Sequence, residues 1–334
     1  MRPGAVSTAI DAALEQRFAE ALSQLNAGGG RIGLAVSGGP DSMAMLLLAH
    51  KVIPAGFEVA TVNHGLRPEA AQECALVEAA CASRDIPCQT LVIEIGDGNV
   101  QARARRARYD ALGRWAAERS LASVATAHHA DDQAETVLMR LNRSSGIEGL
   151  AGIRKRLEMP FDGFGPGTTY HLIRPLLAER RSDLAGYVKA HGLACASDPS
   201  NHDDSFDRVR MRKAMAESDW LDPAAVAASA SHVADALDAL NSAFRDFYNA
   251  HVRRTQRESE VEVWLSLPKD AQRFFVQKAV DVSLRSVGGD PRGSDVARLV
   301  QALESGRGGN VSGVLATPEK GEWHFRREPP RRGS

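Results

Sequence analysis

Three groups of residues combine types and spacings that could do chemistry. The first, Ser37-Gly38-Gly39-Pro40-Asp41-Ser42, joins two hydroxyls, two glycines and one carboxylate. Glycines let backbone amides approach an anion closely, hydroxyls donate to it, and a helix starting here adds the positive end of its dipole. A phosphate fits such a loop. A carboxylate inside a phosphate cradle is repelled unless a cation stands between, so Asp41 is a candidate Mg²⁺ ligand. The second group is His128-His129-Ala130-Asp131-Asp132-Gln133-Ala134-Glu135-Thr136. On a helix beginning near Asp131, Asp132 and Glu135 are three apart and share a face, where paired acids can hold Mg²⁺ or an ammonium group. The plainer reading makes Asp131 or Asp132 an N-cap and Glu135 its capping-box partner. The third group is basic: residues 101–119 hold six arginines against two acids. Arginine clamps phosphate oxygens and neutralises charge that builds in phosphoryl transfer, and Arg108 is the candidate clamp.

The elements that must position these groups follow from the apolar pattern. Four of the five residues 32–36 are apolar, as in a strand buried on both faces, and residues 43–51 read as the helix after the loop. Further strands are expected at 57–62, 89–95 and 123–127, and helices at 69–84, 99–120 and 131–142. This alternation predicts an α/β fold, a doubly wound parallel sheet of Rossmann-like kind. In such sheets ligands lie outside the carboxyl ends of the strands. Residues 37–42, 63–67 and 128–135 all follow strands, so they converge on one crevice.

Beyond the sheet, residues 144–153 and 162–167 are punctuated by glycine and read as mobile loops. Four positive charges fall in the six residues 208–213, which suits contact with a phosphate backbone, Arg208 and Arg212 being the candidates. Composition turns alanine-rich after Asp222-Pro223, a helix start signal. A catalytic domain is therefore expected over residues 1–219 and a smaller, mainly helical domain over 220–328, with a disordered tail at 329–334.

The formal net charge of −1 excludes a wholesale basic protein, although local basic patches remain free to meet nucleic acid. No segment reaches the roughly 18 apolar residues a membrane span needs, and residues 1–21 carry charges through any secretory core, so no membrane is expected and the cytoplasm is the expected compartment. The cysteines Cys74, Cys81, Cys88 and Cys195 form no C-x-x-C pair and read as small buried hydrophobes.

The glycine loop matches neither G-x-x-x-x-G-K-[ST] nor G-x-G-x-x-G. It resembles the S-G-G-x-D-S pyrophosphate loop of the PP-loop ATP pyrophosphatases, which split ATP to AMP and pyrophosphate. With N-H-G-L-R at 63–67, A-R-R-A-R-Y at 104–109, H-H-A-D-D-Q-A-E-T at 128–136, R-L-N-R-S-S-G-I-E-G-L-A-G-I at 140–153, I-R-P-L-L at 173–177 and D-P-S-N at 198–201, the first 215 or so residues resemble the tRNA(Ile)-lysidine synthetase family. The family often carries Asp where Asn63 stands.

The resemblance implies an enzyme that uses ATP and Mg²⁺ to join L-lysine to the wobble cytidine of a tRNA(Ile) with a CAU anticodon. Ser37, Gly38, Gly39, Pro40, Asp41 and Ser42 would hold the polyphosphate, and Asn63, His64 and Gly65 would face the adenine. Arg108 would steady the α-phosphate, Asp132 with Glu135 would receive the lysine ammonium, and the C-terminal domain would bind tRNA. A homodimer is left open. Competing readings are another PP-loop enzyme, such as a tRNA thiolase or an amidotransferase, and a non-catalytic nucleotide- or RNA-binding module.

Overall fold

The computed structural model describes residues 3–63, 65, 68–93, 100–162, 165, 167–196, 207–257 and 260–328. His64, the 198–201 motif and the 329–334 tail lie outside them. The chain divides into two compact units, Met1–Asp235 and Ala236–Ser334.

The first unit is built on a six-stranded sheet. Helix α1 (Pro3–Leu25) leads into β1 (Ile32–Ala35), then α2 (Pro40–Val52), β2 (Phe57–Asn63), α3 (Pro68–Ala82), β3 (Cys88–Val92), α4 (Val100–Glu118), β4 (Ser123–Ala125) and α5 (Ala130–Leu141). The one-turn helix α6 (Ile147–Leu150), strands β5 (Arg156–Pro160) and β6 (Thr169–Ile173), and helices α7 (Arg181–Ala190) and α8 (Asp207–Ala216) follow. The sheet order is β3-β2-β1-β4-β6-β5. All neighbours are parallel except β5, which pairs antiparallel with β6. Chain order reverses between β1 and β4, which places the crevice of such a sheet at the end of β1.

Every residue of β1 is buried, and its alternation separates two cores. Ile32 and Leu34 join a cluster with Leu14, Phe18 and the apolar residues of α2. Ala35 joins the other cluster, around Leu112 and Trp115 of α4. Gly33 faces the same side, where a Cβ would meet the Trp115 ring at 2.4 Å. The cysteines follow the expected pattern in part: Cys74 and Cys81 are buried, Cys88 and Cys195 half-buried.

The edge strand β5 is not anticipated by the sequence: R-L-E-M-P does alternate, but over only five residues that carry two charges and end in proline, too short a run to mark a strand. The glycine-punctuated stretch after α5 is also tied down. Arg140 donates through Nη1 to the carbonyls of Gly149 and Gly152 at 2.9 and 3.0 Å, and Gln133 exchanges two hydrogen bonds with the backbone of Ile153.

The two units divide inside α9 (Pro223–His251), a helix of 29 residues that begins at the expected signal. In the second unit, β7 (Val252–Arg257), β8 (Glu260–Leu265), α10 (Arg273–Ser286), α11 (Gly293–Glu304), β9 (Gly309–Val311), β10 (Val314–Glu319) and β11 (Glu322–Arg327) follow. The expected helices are thus joined by an antiparallel sheet ordered β7-β8-β11-β10-β9. Its core gathers Val263, Leu265 and Phe325 with Val280, Leu284 and Leu299. On β8 and β11, Trp264 and His324 stack with ring centroids 3.8 Å apart. Among the described residues no helix is long and apolar enough to cross a membrane.

Candidate active site

The loop between β1 and α2 is shaped by its own residues. Gly38 has φ +85°, and a Cβ there would sit 3.3 Å from the backbone oxygen of Glu73, so only glycine is comfortable. The Gly38 carbonyl accepts from Ala196 N–H at 2.8 Å. Ser42 Oγ accepts from Ser37 N–H at 3.1 Å and donates to Gly39 O at 3.0 Å, with Ser37 Oγ at 3.3 Å. Gly39 caps α2 without a side-chain bond and Pro40, at its first position, has no N–H to satisfy. The free first-turn amides and the helix dipole therefore point at whatever anion the loop receives.

Asp41 stands on the first turn of α2. Its Oδ1 is buried with no partner, while Oδ2 lies 3.4 Å from His129 Nε2. An orphaned carboxylate oxygen beside a phosphate cradle fits a cation. Among the described residues no group of three or more His, Cys, Asp or Glu side chains gathers as a metal site, so phosphate oxygens and water would have to complete its shell.

His129 caps α5 rather than either aspartate. Its side chain accepts from Asp132 N–H at 3.4 Å, and Asp132 Oδ2 accepts from His129 N–H at 3.2 Å, closing a capping box with Asp132 in the third position. Asp131 does cap a helix, but a different one: its Oδ2 accepts from Arg181 N–H at the start of α7, at 2.9 Å. Burial pulls the His129 imidazole down, but the hydrogen bond to Asp41 and the charges of Asp132, Asp41 and Asp131 outweigh it and hold its pKa above the ordinary histidine value. The neighbouring His128 goes the other way. Burial, then the charges of Arg174, Arg108, Arg208 and Arg105, press it well below that value, so it is a neutral imidazole at pH 7.

Asp132 and Glu135 do share a face, as their spacing implies. Arg208 on α8 spans them, with Nη2 2.9 Å from Asp132 Oδ1 and Nε 2.7 Å from Glu135 Oε2. Arg212, one turn on, donates through Nε to Glu135 Oε1 at 2.7 Å. Burial alone would raise the Glu135 carboxyl, but the hydrogen bonds and charges of Arg212 and Arg208 hold it below the ordinary carboxylate value. The candidate ammonium site and the candidate phosphate contacts thus lie against one another.

Arg108 lines a cavity of about 30 Å³ with Ser37, Thr61 and Cys74, so α4 delivers it to the phosphate loop. Burial and the nearby Arg105 depress its pKa. Asn63 Oδ1 accepts from Gly65 N–H at 2.9 Å and holds the turn after β2, where Gly65 has φ +63°. Arg174 is missed by the sequence reading. It sits buried at the end of β6, and its arginine inside the apolar run 173–177 was the available signal.

Comparison with known proteins identifies the family and the fold. The PP-loop domain family matches residues 10–218. A tRNA(Ile)-lysidine synthase of Novosphingobium aromaticivorans is 44% identical over 91% of this chain and 90% of that protein, and one of Zymomonas mobilis is 36% identical over 91% and 90%. The fold is shared with a U34-tRNA thiolase, NcsA, of Methanococcus maripaludis, at a TM-score of 0.55 and 16% identity over 70% of this chain and 79% of that one. With an S-G-G-P-D-S loop at the switch point of its sheet and relatives matched along nine-tenths of its length, the chain belongs to the tRNA(Ile)-lysidine synthase family.

Proposed function

We propose that the protein converts the wobble cytidine of a CAU-anticodon tRNA(Ile) to lysidine in the cytoplasm, using ATP, Mg²⁺ and L-lysine. In the first half-reaction the ring carbonyl oxygen attacks the α-phosphorus, an oxygen–phosphorus bond forms, the α–β bridge breaks and pyrophosphate leaves. In the second, the lysine ε-amine attacks the activated ring carbon, a carbon–nitrogen bond forms, and the former carbonyl oxygen leaves as part of AMP. A poor electrophile reacts because its oxygen has become a good leaving group.

Ser37, Gly38, Gly39, Pro40 and Ser42 grip the departing diphosphate through the loop amides and hydroxyls, and Asn63, His64 and Gly65 face the adenine. Asp41 holds Mg²⁺, which supplies positive charge to the polyphosphate. Arg108 stabilises negative charge at the α-phosphate from the loop's flank. Asp132 and Glu135 receive the lysine ammonium, and for that Arg208 must release at least one of its contacts with them. Arg208 keeps 44% of its side chain exposed, so it can also meet an RNA phosphate. Arg212 is a positioning residue as well as a candidate RNA contact, because it fixes Glu135 from the buried side.

The unpartnered Asp41 oxygen at the mouth of an anion-binding loop carries this reading. Incubation with labelled lysine, ATP, Mg²⁺ and an unmodified tRNA(Ile) transcript tests it. Label is expected in the RNA, dependent on ATP, and its absence would return the chain to another reaction of the PP-loop class.

A further inference from the structure

A cavity of about 390 Å³ lies between α4 and the β5–β6 hairpin, lined by Arg105, Tyr109, Leu157, Met159, Phe161 and Arg174 among others. Its chemistry is divided. Leu157, Met159 and Phe161 give an apolar wall, and Leu157 is 39% exposed on an edge strand. Arg174 is only 5% exposed; its Nη1 donates to Arg154 O at 2.5 Å, yet its buried Nε has no partner. Tyr109 is a side-chain hydrogen-bond partner of Arg174, and the carboxylates at this cavity, Asp110 and Asp162, pair with Arg106 instead, so among the described residues no carboxylate pairs with Arg174. Arg105 lies over the Tyr109 ring, its guanidinium carbon 5.0 Å from the centroid. A buried cation with an unfilled donor asks for an acceptor, and an accessible apolar wall beside it asks for a ring that carries both.

We propose that this cavity takes an unpaired nucleotide of the RNA substrate, its ring against Leu157 and Met159 and its acceptor atoms or phosphate toward Arg174 and Arg105. The proposal rests on the function given above, which requires the anticodon loop to open at the crevice. Position favours a nucleotide of the RNA over a free one. Arg105 lines this cavity while Arg108, three residues on and about one helical turn away, lines the cavity at Ser37. Arg174 and Arg108 both press on His128. The nucleotide therefore lies one helical turn from the phosphate loop, as a neighbour of the reacting base must. Stacking an unpaired base on a side-chain platform is how single strands are gripped without reading a duplex.

Leu157→Glu and Arg105→Ala test this, both at exposed positions, with thermal unfolding as a check on folding. Lysine incorporation should show a KM for tRNA raised about tenfold in each variant, with KM for ATP and for lysine within about twofold of wild type. In an anticodon stem-loop carrying 2-aminopurine at successive loop positions, one position should change its emission on binding wild type and not on binding Leu157→Glu. A folded Leu157→Glu protein with unchanged KM for tRNA overturns the proposal, as does a rise confined to the KM for lysine, which would assign the cavity to the amino-acid carboxylate. Protection of the wild-type melt by cytidine monophosphate alone, without an effect of Leu157→Glu on RNA binding, also overturns it by assigning the cavity to a free nucleotide. If wild type incorporates no lysine but its RNA binding still depends on Leu157, the function fails and the cavity stands.

Discussion

Glu135 Oε1 accepts from Arg212 Nε at 2.7 Å, joining α5 to α8 across 77 residues of chain. The carboxylate is 1% exposed, so the pair is formed away from water, and removing one partner leaves a buried charge uncompensated. Glu135→Gln should cost about 3 kcal/mol of the first unit's stability at pH 7, read by urea unfolding. The pH dependence has a definite sign. A folded pKa below the ordinary 4.5 contributes stability that is present above that value and is lost as pH falls through the folded one. The difference between wild type and Glu135→Gln should therefore shrink as pH is lowered below 4.5. A constant difference down to the acid limit would show that the carboxylate's ionisation does not stabilise this contact.

Asp41→Asn keeps the shape of the side chain and removes its charge. Adenylation, followed as tRNA-dependent exchange of pyrophosphate into ATP, should fall by about a hundredfold or more, and raising Mg²⁺ should not restore it. A variant with wild-type exchange would return Asp41 to a structural role beside His129.

Arg108→Ala removes the cation next to Ser37. Loss of a preorganised charge at a developing oxyanion predicts a drop of about a hundredfold in exchange, with tRNA affinity changed only a few-fold. Equal losses in affinity and rate would mean that Arg108 serves RNA binding instead.

Arg208 and Arg212 should separate. Arg208→Ala should lower the salt slope of tRNA binding by about one phosphate's share and change the lysine requirement. Arg212→Ala, the deeper of the two, should mainly destabilise the fold. An unchanged slope for Arg208→Ala would confine it to holding Asp132 and Glu135.

Gly33→Ala should destabilise the sheet by about 1–3 kcal/mol through overpacking, because the added Cβ would lie 2.4 Å from the Trp115 ring and 2.9 Å from Leu121. An unchanged urea midpoint would mean that the ring moves aside at little cost.

Much of this protein is legible without its fold. The run 32–42 specifies strand, loop and helix by its apolar pattern and its glycines, and the chemistry of phosphate binding follows from residue types alone. Spacing also places Asp132 and Glu135 on one face, since i and i+3 meet on any helix. Partners were not legible. Nothing local says that Asp131 belongs to α7, that His129 reaches Asp41, or that Arg208 and Arg212 close on Glu135, because each contact joins segments whose approach is set by the order of strands in the sheet. The hairpin strand β5 escaped for a related reason: its alternation of Leu157 and Met159 is too short to stand out, and it becomes a strand only by pairing with β6, a partner the fold supplies. Local pattern, which depends on the period of one element, determined the loop and its chemistry; tertiary packing decided which charges neutralise one another and which atoms, like Asp41 Oδ1 and Arg174 Nε, are buried without a partner in the protein.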